Sequence, residues 1–282
     1  VSGRLELVAT PIGNLGDLAP RAIEVLRDAD RILCEDTRRT RSLLSASEVP
    51  ARGRLEAFHE HNEALKIPRV LERLRAGELV AVVCDAGTPG ISDPGSRLVA
   101  AAVASGLDVG SVPGPSAILA ALVVSGLPTD RFVMEGFLPR RGSERQRRLT
   151  ALRAERRTVV LFESPRRVGA TLAELAATLD GGRALVVARE LTKLHEEIWR
   201  GTLEEGAGHF VDHELRGEVV LVMGGSLEPE REATEDDIVA ALAAARADGR
   251  STRDAAAEVA EALGVPRRRV YDLAIGAGGP KR

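Results

Sequence analysis

The stretch LVAVVCDAGTPGISDPG, residues 79–95, decides the fold. Its first five residues are apolar without interruption, and so short a run with no polar face reads as a strand buried on both sides. The loop AGTPGISDPG that follows is rich in Gly and Pro, so its backbone can come close to a ligand. The helix pattern EALKIPRVLERLRAG (63–77), ended by Gly77, precedes the strand, and SRLVAAAVASG (96–106) follows the loop. A strand, a glycine-rich loop and a helix in that order form the repeating unit of a parallel α/β fold.

The same unit recurs on either side. Upstream, LELVA (5–9) is a strand, TPIGNLGD (10–17) its loop, and APRAIEVLRDA (19–29) a helix that accepts Pro20 in its first turn. RILCE (31–35), DTRRT (36–40) and SLLSA (42–46) repeat the order. Downstream, LDVGSVP (107–113) leads through GPSA (114–117) into ILAALVVSG (118–126), the pattern resets around Leu127 to Asp130, and the domain boundary is expected near Pro113 to Thr129. RFVMEGF (131–137), TVVLFES (158–164), RALVVARE (183–190) and GEVVLVMGG (217–225) are the strands of a second half, with LPRRGSERQ (138–146) as a loop before a helix from Arg147. SLEPERE (226–232) has no apolar period and reads as a linker. Beyond Thr234 only helical patterns remain. The expected organisation is an α/β domain over 1–115, a second α/β domain over 116–225, a linker over 226–233, and a small all-helical, helix-turn-helix-like tail over 234–282.

Composition agrees with helices packed on sheets. Hydrophobic residues make up 44% of the chain but aromatics only 2%, so Ala, Val and Leu must build the core. No stretch reaches the roughly 18 to 20 apolar residues of a membrane span, and the N-terminus lacks the apolar run of a signal peptide, so a cytoplasmic protein is expected. Cys34 and Cys84 close the apolar runs RILC and VAVVC and read as buried thiols. Two cysteines make no zinc site, and no metal is expected. Net charge is −3, but between Leu138 and Val168 stand ten Arg against three Glu. One basic segment sits on an otherwise acidic chain.

Absent motifs narrow the chemistry. There is no G-x-G-x-x-G after a strand, no P-loop and no G-x-S-x-G. The glycine-rich loops nevertheless follow strands, where open α/β sheets bind ligands. Taken alone, Gly87, Pro89 and Gly90 make an ordinary turn, and Ser116 caps a helix. Asp85 follows five apolar residues, where an unpaired carboxylate would be costly, so a polar ligand would explain its place. His59 and His61 could converge on one strand face, but no third metal ligand is signposted. Hydrogen bonding between loops or to a bound partner is the better reading.

VATPIGNLGD (8–17), CEDTRRTRSLL (34–44), FHEHNE (58–63), VCDAGTPGISDPG (83–95), VPGPSAILAAL (112–122), FLPR (137–140), FESPRR (162–167) and ARELTKLHEE (188–197), in this order, resemble the small-subunit ribosomal RNA methyltransferase I family. That family is a branch of the tetrapyrrole methylase superfamily and methylates the ribose 2′-oxygen of a decoding-centre cytidine in 16S rRNA. The resemblance implies S-adenosylmethionine bound between two α/β domains, no metal, and a homodimer. By match to superfamily positions, the cofactor is expected to meet Pro11, Asp85, Gly87, Thr88, Ser116, Ala117, Phe162 and Glu163.

A polyanionic substrate gives the basic segment a purpose. Arg140, Arg141, Arg145, Arg147 and Arg148 follow a strand end on the cleft side, where Arg suits bidentate phosphate contact, and Arg38 and Arg166 join the expected RNA-binding set. Removing a proton from a 2′-hydroxyl asks for a base, and Lys193, Glu35, Asp36 and Glu190 are the candidates. The tail has the length of a helix-turn-helix, but from Ser226 to Arg282 nine basic residues face eleven acidic ones. Docking or RNA-shape recognition is favoured over DNA reading, and no DNA partner is expected. The expected partner is 16S rRNA or the assembled small subunit. Rival readings keep the fold for a corrin-pathway C-methylase or a diphthine synthase, or make the chain a ligand-sensing DNA-binding regulator.

Overall fold

The uninterrupted apolar run becomes strand β4 (Leu79–Val83), and its two faces enter two different layers. Val80 and Val82 pack with Leu5, Leu33, Leu74 and Leu98. Ala81 and Val83 pack with Val8, Leu26, Ile32 and Leu44. Burial on both faces is what allows a strand to lack polar alternation. The computed structural model describes residues 3–213, 215–226, 234–247 and 250–276.

Strands β1 (Arg4–Val8), β2 (Arg31–Cys34), β3 (Leu55–Ala57), β4 and β5 (Asp108–Val112) form an all-parallel sheet in the order β3-β2-β4-β1-β5. Helices α1 (Pro20–Asp28) and α2 (Thr37–Ala46) cover one face, and α3 (Glu63–Arg75) and α4 (Ser96–Ala104) the other. The chain leaves β1 toward β2 and leaves β4 toward β5, on opposite sides. The carboxyl ends of the adjacent strands β1 and β4 are therefore a topological switch point, where such sheets open a crevice.

Helix α5 (Ala117–Ser125) leads into a second sheet, β6 (Phe132–Phe137), β7 (Thr158–Glu163), β8 (Ala184–Arg189), β9 (Glu197–Thr202) and β10 (Val219–Met223), in the order β6-β7-β10-β8-β9. Here the parallel expectation fails. Only β6 and β7 run parallel, and β10 pairs antiparallel with both β7 and β8. Ile118, Ala121 and Leu122 of α5 pack on one face of this sheet together with Ile12 from the first half. Helices α6 (Ser143–Ala154), α7 (Val168–Thr178) and α8 (Leu203–Phe210) cover the other. Helix α6 starts four residues earlier than expected, directly after Gly142 at φ 91°. Helix α8 opens on a capping box of Thr202 and Glu205.

The chain divides into a unit over Val1–Ser226 and a second over Leu227–Arg282. In the second, α9 (Glu235–Ala247), α10 (Thr252–Ala262) and α11 (Arg267–Gly276) close around Ile238, Ala256, Val259 and Val270. Residues 227–233 of the expected linker lie outside the described residues. Among the described residues no helix is long and apolar enough to cross a membrane.

Candidate active site

Two loops meet at the switch point and are laced together. The amide of Thr10 donates to the carbonyl of Gly87 at 2.8 Å, and the amide of Gly87 returns a bond to Thr10 at 3.0 Å. The Thr10 hydroxyl donates to the carbonyl of Cys84 at 3.2 Å. Gly87 stands at φ 84°, a left-handed conformation that a side chain would strain. Further along the loop, the buried Glu63 carboxylate accepts from the Gly95 amide at 3.1 Å, and Thr88 Oγ1 donates to the carbonyl of Pro115 at 3.2 Å. These bonds fix a glycine-rich loop that would otherwise be mobile.

Between this loop, the start of α5 and the end of β7 lies a cavity of about 380 Å³. Gly87, Thr88, Ser116, Ala117, Phe162 and Glu163, six of the eight residues expected to meet a cofactor, line it. Ile12, Ile91, Asp93, Phe137 and the segment Gly217–Val220 also line it and were missed. Ile12, Ile91, Asp93 and Phe137 lie within motifs singled out in the sequence, whereas Gly217–Val220 reads there only as the start of a strand. Ser116 also caps α5, accepting from the Leu119 amide at 3.5 Å. Glu163 is 3% exposed, and its carboxylate accepts from the Ser164 amide and the Thr171 hydroxyl, each at 2.7 Å, beside Arg167 at 3.3 Å. That carboxylate is fully engaged within the protein.

Pro11 and Asp85 instead line a second cavity of about 500 Å³ across the Thr10–Gly87 bridge. Asp85 needs no ligand to explain its position, which corrects the reading made from its apolar flank. One carboxylate oxygen accepts from the Asp36 amide at 3.1 Å and the other lies 3.3 Å from Arg39 Nη1. Strand order supplies these partners, because β2 and β4 are neighbours and bring their loops side by side.

The candidate bases fall into two groups. Lys193 donates to Glu190 at 2.7 Å and to Glu218 at 3.1 Å. Burial pushes its ammonium down, but these two carboxylates outweigh burial and leave it above the ordinary lysine value. Lys193 therefore stays protonated, against the expectation of a lysine that sheds its proton near neutrality. Glu190 is lowered in turn by the bond from Lys193. Both Glu190 and Thr192 hold positive φ, at 51° and 66°. A glycine at position 217 is what admits the Glu190 carboxylate, since a Cβ there would lie 2.1 Å from its oxygen.

The other group sits at the start of α2. Asp36 caps that helix and is held down at about 2, chiefly by the side-chain bond from Arg38. Glu35 moves the opposite way, raised by burial and then by the nearby charges of Asp85 and Asp93. Asp93 is raised as well, by burial first and by Asp85.

The arginines expected to bind RNA also separate. Arg38, Arg140, Arg141, Arg147 and Arg166 are exposed. Arg145 is not: it is 6% exposed, donates to Glu174 at 2.7 Å, to the Pro139 carbonyl at 2.9 Å and to Thr171 at 3.3 Å, and clamps α6 to α7. Arg148 is half-buried and bound to the carboxylate and carbonyl of Glu135. Neither has a free guanidinium to offer a phosphate. His59 is hydrogen-bonded to Asn62 at 3.0 Å, and the described residues contain no cluster of three metal-ligating side chains.

Known proteins with related sequences fit this geometry. The family model described as Tetrapyrrole (Corrin/Porphyrin) Methylases matches residues 4–207, and the one described as RsmI C-terminal HTH domain matches 232–277. The ribosomal RNA small subunit methyltransferase I of Synechocystis sp. is 44% identical over 97% of this chain and 98% of its own length. The protein of the same name from Thermotoga maritima is 45% identical over 79% of this chain and 99% of its own length. Among solved structures, a diphthine synthase superposes with TM-score 0.61 at 18% identity, over 79% of this chain and 90% of that one. The uroporphyrin-III C-methyltransferase of Thermus thermophilus, complexed with S-adenyl homocysteine, superposes with TM-score 0.55 at 22% identity, over 79% of this chain and 97% of that one. At such identities the structural likeness is one of fold.

Proposed function

Because the chain belongs to the tetrapyrrole methylase family, in its ribosomal RNA small subunit methyltransferase I branch, we propose that it transfers a methyl group from S-adenosylmethionine to the ribose 2′-oxygen of a decoding-centre cytidine in 16S rRNA. The observation that carries this reading is the convergence of six expected cofactor residues, from three separate loops, on one cavity. Apolar walls from Ile12, Ile91 and Phe162, a cap hydroxyl at Ser116 and a carboxylate at Asp93 suit an adenosyl group that carries a cationic centre. A cavity of about 380 Å³ lies within the usual size of such sites. S-adenosylmethionine supplies an activated methyl group when bound.

This chain's own residues orient and handle protons. The laced loops fix the cavity, so that a bound hydroxyl and the methyl group can be held in line. Glu35 is the one candidate base whose carboxyl is raised, by burial and then by Asp85 and Asp93, and it lines neither cavity. Lys193 serves as a fixed positive charge beside the first loop, since its side chain packs where a Cβ on Gly13 would fall. Exposed Arg140, Arg141 and Arg147 on the second half meet RNA phosphates, with Arg38 and Arg166. The action is cytoplasmic, on the assembled small subunit or its rRNA. Helix α5 exposes Leu119, Val123 and Val124, Val123 by 70%, and this apolar face is where a second copy docks in a homodimer.

Calorimetry with S-adenosylmethionine, no metal added, followed by labelled methyl transfer to under-methylated 30S subunits, tests the reading. Heat of binding and labelled 16S rRNA are expected. Binding without RNA labelling would reject the substrate, and no binding by folded protein would reject the cofactor.

A further inference from the structure

We propose that the second cavity is a subsite for one nucleotide of the RNA substrate, separate from the cofactor cavity. The inference rests on the RNA methyltransferase reading and adds where the RNA is gripped. Two observations support it.

First, the two cavities share no lining residue although their walls alternate along the same segments. Ile12 faces the first cavity while Pro11 and Gly13 face the second; Ala86 and Gly87 face the first while Cys84 and Asp85 face the second. The Thr10–Gly87 bridge is the partition, so an occupant of the second cavity sits beside the cofactor cavity without competing for it.

Second, the lining has nucleotide chemistry. Leu15, which is 58% exposed, and Leu43 give an apolar surface for a base face, and Arg39 brings a cation to the same 500 Å³. Arg39, which lines the cavity, is exposed in the first half of α2, where the helix dipole disfavours positive charge, and its guanidinium is open to a phosphate as well as to Asp85.

Ser42→Trp tests this, because Ser42 is an exposed helix position whose enlarged side chain would fill the cavity without entering the core. Ser45→Trp, an equally bulky change at an exposed position of α2 that lines neither cavity, is the control. Measured are melting temperature, calorimetric affinity for S-adenosylmethionine, and kcat and KM on under-methylated 30S subunits. For Ser42→Trp the expected result is an unchanged melting temperature and cofactor affinity, with kcat/KM for subunits lowered about tenfold or more, while Ser45→Trp stays within about twofold of wild type. Unchanged kcat/KM in Ser42→Trp would overturn the proposal, as would a loss of cofactor affinity that accounts for the whole effect. Wild-type protein that binds cofactor but methylates no subunits would instead overturn the parent reading.

Discussion

The two halves of the α/β unit use charge in opposite ways. In the first half, acid and base meet at the loop ends of a parallel sheet, where Asp85 holds Arg39 and the Asp36 amide and where Glu35 and Asp93 are raised by crowding. Shape there comes from the backbone, with Gly87 and Gly90 at positive φ. In the second half, arginine does two unrelated jobs. Arg183, 1% exposed, bonds to the Leu152 and Arg153 carbonyls, and Arg145 joins two helices, yet Arg140 and Arg141, a few residues away from Arg145, stand in solvent. A local count of positive charge is therefore no map of a nucleic-acid surface. Each arginine must be assigned by what it touches.

Substitutions can break that contrast. The largest effect is expected from Arg145→Ala, which leaves the Pro139 carbonyl without its side-chain donor and Glu174 with only Gln146. A loss of about 2–3 kcal/mol in stability should follow, or roughly 5–10 °C in melting temperature, with cofactor affinity retained. A calorimetric scan with unchanged melting and weakened RNA binding would return Arg145 to the RNA-contacting set.

Gly87→Val should do the converse. A β-branched residue at φ 84° beside Ile12 strains the loop by about 1–3 kcal/mol and distorts the cofactor cavity. Cofactor affinity should fall about 30-fold or more while the protein stays folded. Full affinity would show that the loop does not touch the ligand.

A smaller change is expected from the double variant Arg140→Ala/Arg141→Ala. Melting and cofactor binding should hold, while the slope of log RNA affinity against log salt should shrink by about 0.7 for each phosphate that is no longer neutralised. An unchanged slope would remove this edge from the RNA path.

Much of this was legible in the sequence, and the failures have physical causes. Leu79 to Val83 announced double burial, and glycine-rich loops after strands announced a cleft at their carboxyl ends. Periodicity, however, says which face a residue takes and not which way its neighbour runs. ALVVAR (184–189) and VVLVM (219–223) therefore looked parallel but pair antiparallel. Strand β9, EIWRGT, is too polar to stand out until β8 is there to receive it. The cofactor cavity was read through motifs from three loops. Asp85 was misread because its partner Arg39 is adjacent only through the order of β2 and β4.

The smallest effect concerns Asp93, whose carboxyl is raised by burial and by Asp85. A raised carboxyl favours the fold fully below its ordinary range, and that contribution is lost as pH climbs through the raised value. Asp93→Asn should therefore match wild type near pH 3 and melt about 1–2 °C higher near pH 7. A gain that appears instead at acid pH would reverse the sign and contradict the burial assigned to this side chain.

The chemistry of transfer is tested most directly on the product. Under-methylated 30S subunits incubated with this protein and labelled S-adenosylmethionine would be stripped to 16S rRNA and hydrolysed in alkali. A 2′-O-methyl group removes the nucleophile that cleaves the neighbouring phosphodiester, so the label should survive in an alkali-resistant dinucleotide containing a decoding-centre cytidine. Label released in single nucleotides would place the methyl group on a base and contradict ribose 2′-O-methylation.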